Sequence, residues 1–78
     1  MKKYLVLKEN SENLYHVFTA EGNAKNCKPS SENSLCGRVA AMETNSEDPL
    51  VSCLAGPGTM ALLSRTEEPV CARCVSFI

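Results

Sequence analysis

The chain has 78 residues and a formal net charge of −1, a length that accommodates one small domain, residues 1–78, hiding only about 60% of its unfolded surface on folding. Leu, Ile, Val and Phe total 17 residues, Trp is absent, and no apolar run approaches the roughly 18 residues needed to cross a bilayer. This excludes a second domain, a dinucleotide fold and a membrane-spanning helix, and leaves a core thin enough to need a staple, for which the five cysteines are the material.

In chain order, residues 2–8 are rich in aromatic and branched side chains and predict a strand, and residues 14–19 predict a second. The polar stretch 9–13 between them has the length of a hairpin loop. Both strands carry apolar residues on both faces, so each face is expected to meet something other than water. Residues 20–34 are polar, broken by Gly22 and Pro29, and predict a loop without periodicity. A strand is expected over 38–43, a polar break over 44–49, and a short apolar run over 50–54. Gly56-Pro57-Gly58 reads as a turn, and residues 59–65 suit a strand or one to two helical turns equally. The last segment, 69–78, holds two cysteines and an apolar tail. The result is a small β-rich domain whose long polar connections need pinning.

Charge is uneven. Residues 1–28 carry five Lys against three Glu, and residues 29–78 carry three Arg against six acids. Neither half has the clustered basic footprint of non-specific nucleic-acid binding. The apolar stretch 4–7 is too short for a signal-peptide core and no small-residue cleavage site follows, so a cytoplasmic product is expected. In a reducing cytosol an odd cysteine count points to thiolate chemistry rather than a disulfide framework.

Cys71-Ala72-Arg73-Cys74 is the most informative feature. Two thiolates two residues apart can grip one metal ion, because the tight turn between them aims backbone N–H groups at the sulfurs. Cys36 is the expected third ligand. Leu35-Cys36-Gly37-Arg38 and Val70-Cys71-Ala72-Arg73 share the order apolar, Cys, small, Arg, and a small residue after the ligand permits the sharp turn of a metal knuckle. For the fourth position, His16 is the only histidine and lies on an otherwise apolar strand, from which a neutral imidazole can point at the pinned loops. Cys27 lies in a Lys- and Asn-rich loop, where a free thiol is expected. Cys53 sits in the apolar run 50–54, where a thiol behaves as a small hydrophobe. The assignment is therefore His16, Cys36, Cys71 and Cys74 around a structural metal, with Cys27 or Cys53 as replacements for His16. Ligand softness favours zinc, with iron as the alternative.

Tyr15-His16-Val17, Ser34-Leu35-Cys36-Gly37-Arg38 and Val70-Cys71-Ala72-Arg73-Cys74 together resemble the small His…Cys-Gly…Cys-x-x-Cys zinc-binding proteins of bacteria and their phages. The resemblance implies a zinc-ribbon-like fold with a structural metal. The extra Cys27 and Cys53 and the long spacer from Cys36 to Cys71 depart from that pattern. A tiny, slightly acidic, metal-stapled domain offers a surface and little interior, so the expected function is binding, not catalysis. The phage-like pattern suggests an accessory factor that inhibits or modulates a host protein complex, of defence or transcription machinery. Its acids at Glu43, Glu47, Asp48, Glu67 and Glu68 would dock on a basic face. A nucleic-acid-binding zinc ribbon using Arg38, Arg65, Arg73 and the N-terminal lysines is the second reading. A redox or metal-handling protein is the third.

Overall fold

The computed structural model describes residues 2–78, and β1 (Lys3–Glu9) is the strand around which everything else is arranged. It pairs antiparallel with β2 (Tyr15–Gly22) in a register running from Lys3 opposite Ala20 to Lys8 opposite Tyr15. The expected N-terminal hairpin is therefore present, its strands displaced by one residue at the loop. Asn13 takes a positive φ there, and the Glu9 carboxylate accepts from the Ser11 N–H, the Ser11 hydroxyl and the Glu12 N–H. These bonds hold the Ser11 and Glu12 amides, while the Asn10 N–H donates to the Glu43 carbonyl.

β2 continues past the expected strand end to Gly22, then turns on Asn23, whose side-chain oxygen accepts the Lys25 and Asn26 N–H groups. The chain returns as β3 (Cys27–Pro29), opposite residues 20–22 of β2. The aperiodic stretch 20–34 thus contains a ladder, which a three-residue strand is too short to announce by alternation.

On its other side β1 pairs with β4 (Thr44–Asn45) and β5 (Val51–Ala55), both antiparallel. Having strands on both sides and core on both faces explains why residues 4–7 are all buried. Alternation then divides the core. Tyr4, Val6, Val17, Val51 and Cys74 fill one face, and Leu5, Leu7, Phe18 and Val39 the other.

The strand order β3-β2-β1-β5 would hold β3 and β5 about 14 Å apart in a flat sheet. Instead the Cα atoms of Cys27 and Cys53 are 5.7 Å apart and their sulfurs form a disulfide. The sheet is strongly curled, and its outer strands meet. A bulge in β5 assists: Tyr4 faces Leu54 and Leu5 faces Ser52, so Cys53 is the extra residue, with φ of +55°.

Two further expectations are corrected. Residues 38–43 form no strand; Ala40 bridges to Asn33, and Ala41–Glu43 is a 3₁₀ turn. The Glu43 carboxylate caps it by accepting the Ala40 N–H, and Thr44 Oγ1 donates to the Ala41 carbonyl, which satisfies the turn locally. Gly56-Pro57-Gly58 is the first turn of helix α1 (Gly56–Arg65), because proline's missing N–H and fixed φ suit a helix start as well as a tight turn. α1 buries Thr59, whose hydroxyl donates to the Leu54 carbonyl. A single helical turn, α2 (Ala72–Val75), ends the chain.

Candidate metal centre

The site is built on the outer edge of β2, beyond the reach of β3. The Tyr15 N–H donates to the Pro69 carbonyl at 2.9 Å, and the Tyr15 carbonyl accepts the Cys71 N–H at 2.8 Å. Two residues on, the Val17 carbonyl accepts the Leu35 N–H at 2.8 Å. The segments carrying Cys36 and Cys71 are thus fastened to the residues flanking His16, one on each side. Sequence separation is large, but the edge of one strand fixes the relative position of all three.

Local geometry aims the sulfurs. Gly37 adopts φ of +77° and donates its N–H to the Ser34 carbonyl, which turns the chain sharply after Cys36. The Arg38 N–H then points at Cys36 Sγ, and the Ser34 hydroxyl lies 3.1 Å from it. Cys71 is the residue before α2 and its carbonyl accepts the Val75 N–H, so the helical turn carries Cys74 back toward it. Backbone N–H groups of Val17 and Cys36 point at Cys74 Sγ.

The structure brings His16, Cys36, Cys71 and Cys74 together, with their ligand atoms all within 4.8 Å of one another. His16 Nδ1 is 3.6 Å from Cys36 Sγ and 3.6 Å from Cys74 Sγ. A tetrahedral zinc ion with ordinary bond lengths sets N···S edges of roughly 3.6 Å and S···S edges of about 3.8 Å. The donor set and its spacing therefore fit a metal ion, and zinc is consistent with them. His16 Nε2 is buried without a hydrogen-bond partner among the described residues, so a metal on Nδ1 would leave the ring proton on a nitrogen lacking the usual acceptor.

The thiols are electrostatically unequal. Burial works to raise the Cys36 thiol, but the Ser34 hydroxyl, the Arg38 N–H, Cys74 and His16 outweigh it and lower it to about 6. Burial pushes Cys74 up to about 11, with the Cys36 sulfur and then the Cys71 sulfur adding to the effect against the backbone N–H groups of Val17 and Cys36. The two neighbouring sulfurs are thus pushed in opposite directions. A cation held among them would offset the burial penalty, since its charge would reverse the local preference.

Cys27 and Cys53 are outside this cluster, paired with each other. They were expected as a free loop thiol and a small buried hydrophobe, or as replacements for His16. The curl of the sheet places them side by side instead, and the five cysteines divide into three near His16 and two in a disulfide. Sequence reasoning also missed Ser34, whose only signal is its position two residues before Cys36. Among the described residues no helix is long and apolar enough to cross a membrane.

Fold and site together define a small β-rich protein with a His/Cys₃ cluster able to hold a metal ion. Comparison with protein-family models, with curated proteins and with solved structures finds no match.

Proposed function

We propose that this chain is a zinc-stabilised binding protein without catalytic activity. The observation that carries the reading is the completeness of the ligand set. His16, Cys36, Cys71 and Cys74 would fill all four tetrahedral positions, and structural zinc sites are closed in this way whereas catalytic ones keep a position open. Zinc would act here by holding residues 33–37 and 69–78 against β2.

What remains for function is the surface. Glu43, Glu47, Asp48, Glu67 and Glu68 are all exposed, and Met42 is 88% exposed on the 3₁₀ turn beside Glu43. Exposed acids and an exposed methionine of this kind suit a basic protein surface with an apolar recess. Together with the resemblance to small zinc proteins of bacteria and their phages, this supports an accessory factor of phage or mobile-element type. It would act in the cytoplasm by occupying and inhibiting a host defence or transcription complex.

Metal analysis of the purified chain tests the first half. One zinc per chain is expected, lost in Cys71→Ser and retained in Cys53→Ser; metal lost from the second variant would overturn the ligand set. Affinity capture from the native host tests the second half, with Glu43→Lys/Glu47→Lys as the comparison. The reading requires a defined protein complex whose capture falls at least about tenfold in the variant. Binding to random duplex that weakens steeply with salt would overturn it in favour of a nucleic-acid-binding zinc ribbon.

A further inference from the structure

The geometry points to the Cys27–Cys53 disulfide as a thiol–disulfide exchange site, a latch that small thiols open to part the seam of the curled sheet. The seam is where β3 meets β5, and no ladder joins them. Apart from the disulfide, the Ser52 hydroxyl donates to the Ala24 carbonyl at 3.2 Å, tying β5 to the turn that leads into β3. β3 itself is paired only with the last three residues of β2, and Cys27 packs against the core cluster of Leu5 and Phe18. Opening the latch therefore frees a local unit, while the six-pair β1–β2 ladder and the His/Cys₃ cluster lie elsewhere.

The two sulfurs are placed for directional attack. Cys27 is half-buried, beside the exposed Lys25 and Lys28, whose charge favours an approaching thiolate. Cys53 is buried at the bulge, so Cys27 Sγ is the sulfur an incoming thiolate reaches. Cys53 Sγ lies 3.4 Å from the Glu21 carbonyl oxygen. That contact becomes a hydrogen bond once Cys53 carries a proton, so the released thiol finds an acceptor already in position.

The chemistry balances with two equivalents of a small thiol RSH. The first, as RS⁻, bonds to Cys27 Sγ; the Cys27–Cys53 bond breaks and Cys53 leaves as a thiolate that takes up a proton. The second thiolate attacks the RS sulfur of the mixed disulfide, giving RSSR and expelling the Cys27 thiolate, which is protonated in turn. Two electrons pass from two RSH to the protein.

Opening exposes a particular surface. A cleft of about 250 Å³ is lined by Ala24, Lys25 and Cys27 together with Glu47, Ser52 and Leu5. Leu5 is 3% exposed and packs with Leu7 and Phe18. The latch thus stands over one of the two core faces, and the strand edges beside it have no ladder partners on the seam side.

Two-stage alkylation of the purified, metal-loaded chain tests the inference. One label is applied before reduction and a second after equilibration in glutathione buffers of increasing reducing power. The inference requires Cys27 and Cys53 to resist the first label and take the second. Amide exchange over 23–29 and 51–55 should rise roughly tenfold or more, with metal content and β1–β2 protection unchanged. First-stage labelling of Cys27 and Cys53 would overturn it, as would reduction only after denaturation, or a simultaneous rise in exchange across the whole sheet. Failure of the metal reading shows separately, as first-stage labelling of Cys36, Cys71 and Cys74. The double variant Cys27→Ser/Cys53→Ser should show the raised exchange without any thiol and no further response to one. Should that variant fail to fold, the wild-type labelling pattern still decides.

Discussion

Removing the metal should detach the C-terminal segment, and the structure sets the size of the effect. Residues 69–78 are joined to β2 by two backbone hydrogen bonds, both to Tyr15, together about 2 kcal/mol. Val70, Cys74 and Ile78 pack on the core and add about 4 kcal/mol of burial. Ordering the backbone of ten residues costs about 10–20 kcal/mol. The deficit at the middle of that range, about 9 kcal/mol, is within a few kcal/mol of the 10–16 kcal/mol that a structural zinc supplies at neutral pH. Trypsin reads the outcome. Arg73 is exposed on α2, and cleavage after it releases residues 74–78. Chelation should accelerate that cut by at least about a hundredfold, and restored zinc should reverse the change. Metal fully removed with the Arg73 cut unchanged would refute the reasoning, because the segment would then be held by forces the structure does not show.

Two glycines with positive φ give contrasting expectations. A Cβ at Gly37, where φ is +77°, meets nothing within 4 Å, so Gly37→Ala should cost only the backbone term of about 1 kcal/mol, read as roughly fivefold weaker zinc retention against a competing chelator. A Cβ at Gly22, where φ is +107°, would overlap the Asn26 carbonyl oxygen, which is backbone. Gly22→Ala should therefore cost more than about 3 kcal/mol and remove amide protection from β3 while zinc binding persists. The hairpin loop carries a pH dependence. The Ser11 hydroxyl, with the Glu12 and Ser11 N–H groups, holds the Glu9 carboxyl below its ordinary value of 4.5. Because the folded value is the lower one, this contribution is complete above the unfolded carboxyl's pKa and disappears as pH falls through the folded one. In denaturant titrations across the acid range, wild type should exceed Glu9→Gln above that window and converge with it below. A gap of constant size at every pH would count against the assignment.

The features legible in the sequence are those set by neighbours along the chain. Cys71-Ala72-Arg73-Cys74 brings two sulfurs together through one helical turn, and Cys36-Gly37 makes its own knuckle, so local spacing alone suggested their chemistry. The apolar runs of β1 and β2 likewise marked a hairpin. His16 was readable only because the chain has one histidine and it falls on an apolar strand. The seam was not readable. Cys27 and Cys53 are 26 residues apart, and their meeting depends on the curl of three intervening strand spacings, which no local pattern encodes. Gly56-Pro57-Gly58 misled for a different reason, since one residue chemistry serves both a turn and a helix start. Residues 38–43 misled because their apolar character reflects Val39 entering the core from the irregular stretch just before the Ala40 bridge and the 3₁₀ turn, not from a ladder.

β2 carries a fastening near each of its ends: His16 with its three cysteines at one, and Gly22 opposite the disulfide-bonded Cys27 at the other. With a metal at the first and an exchangeable disulfide at the second, the two would respond to redox chemistry in opposite directions. Peroxides consume thiolates and would strip a metal from the His16 end, yet leave the disulfide intact. Thiols would undo the disulfide and leave thiolates held on a metal as they are. A swing of the surroundings either way would therefore loosen one end of the strand at a time, while the other kept its neighbours in register until conditions returned.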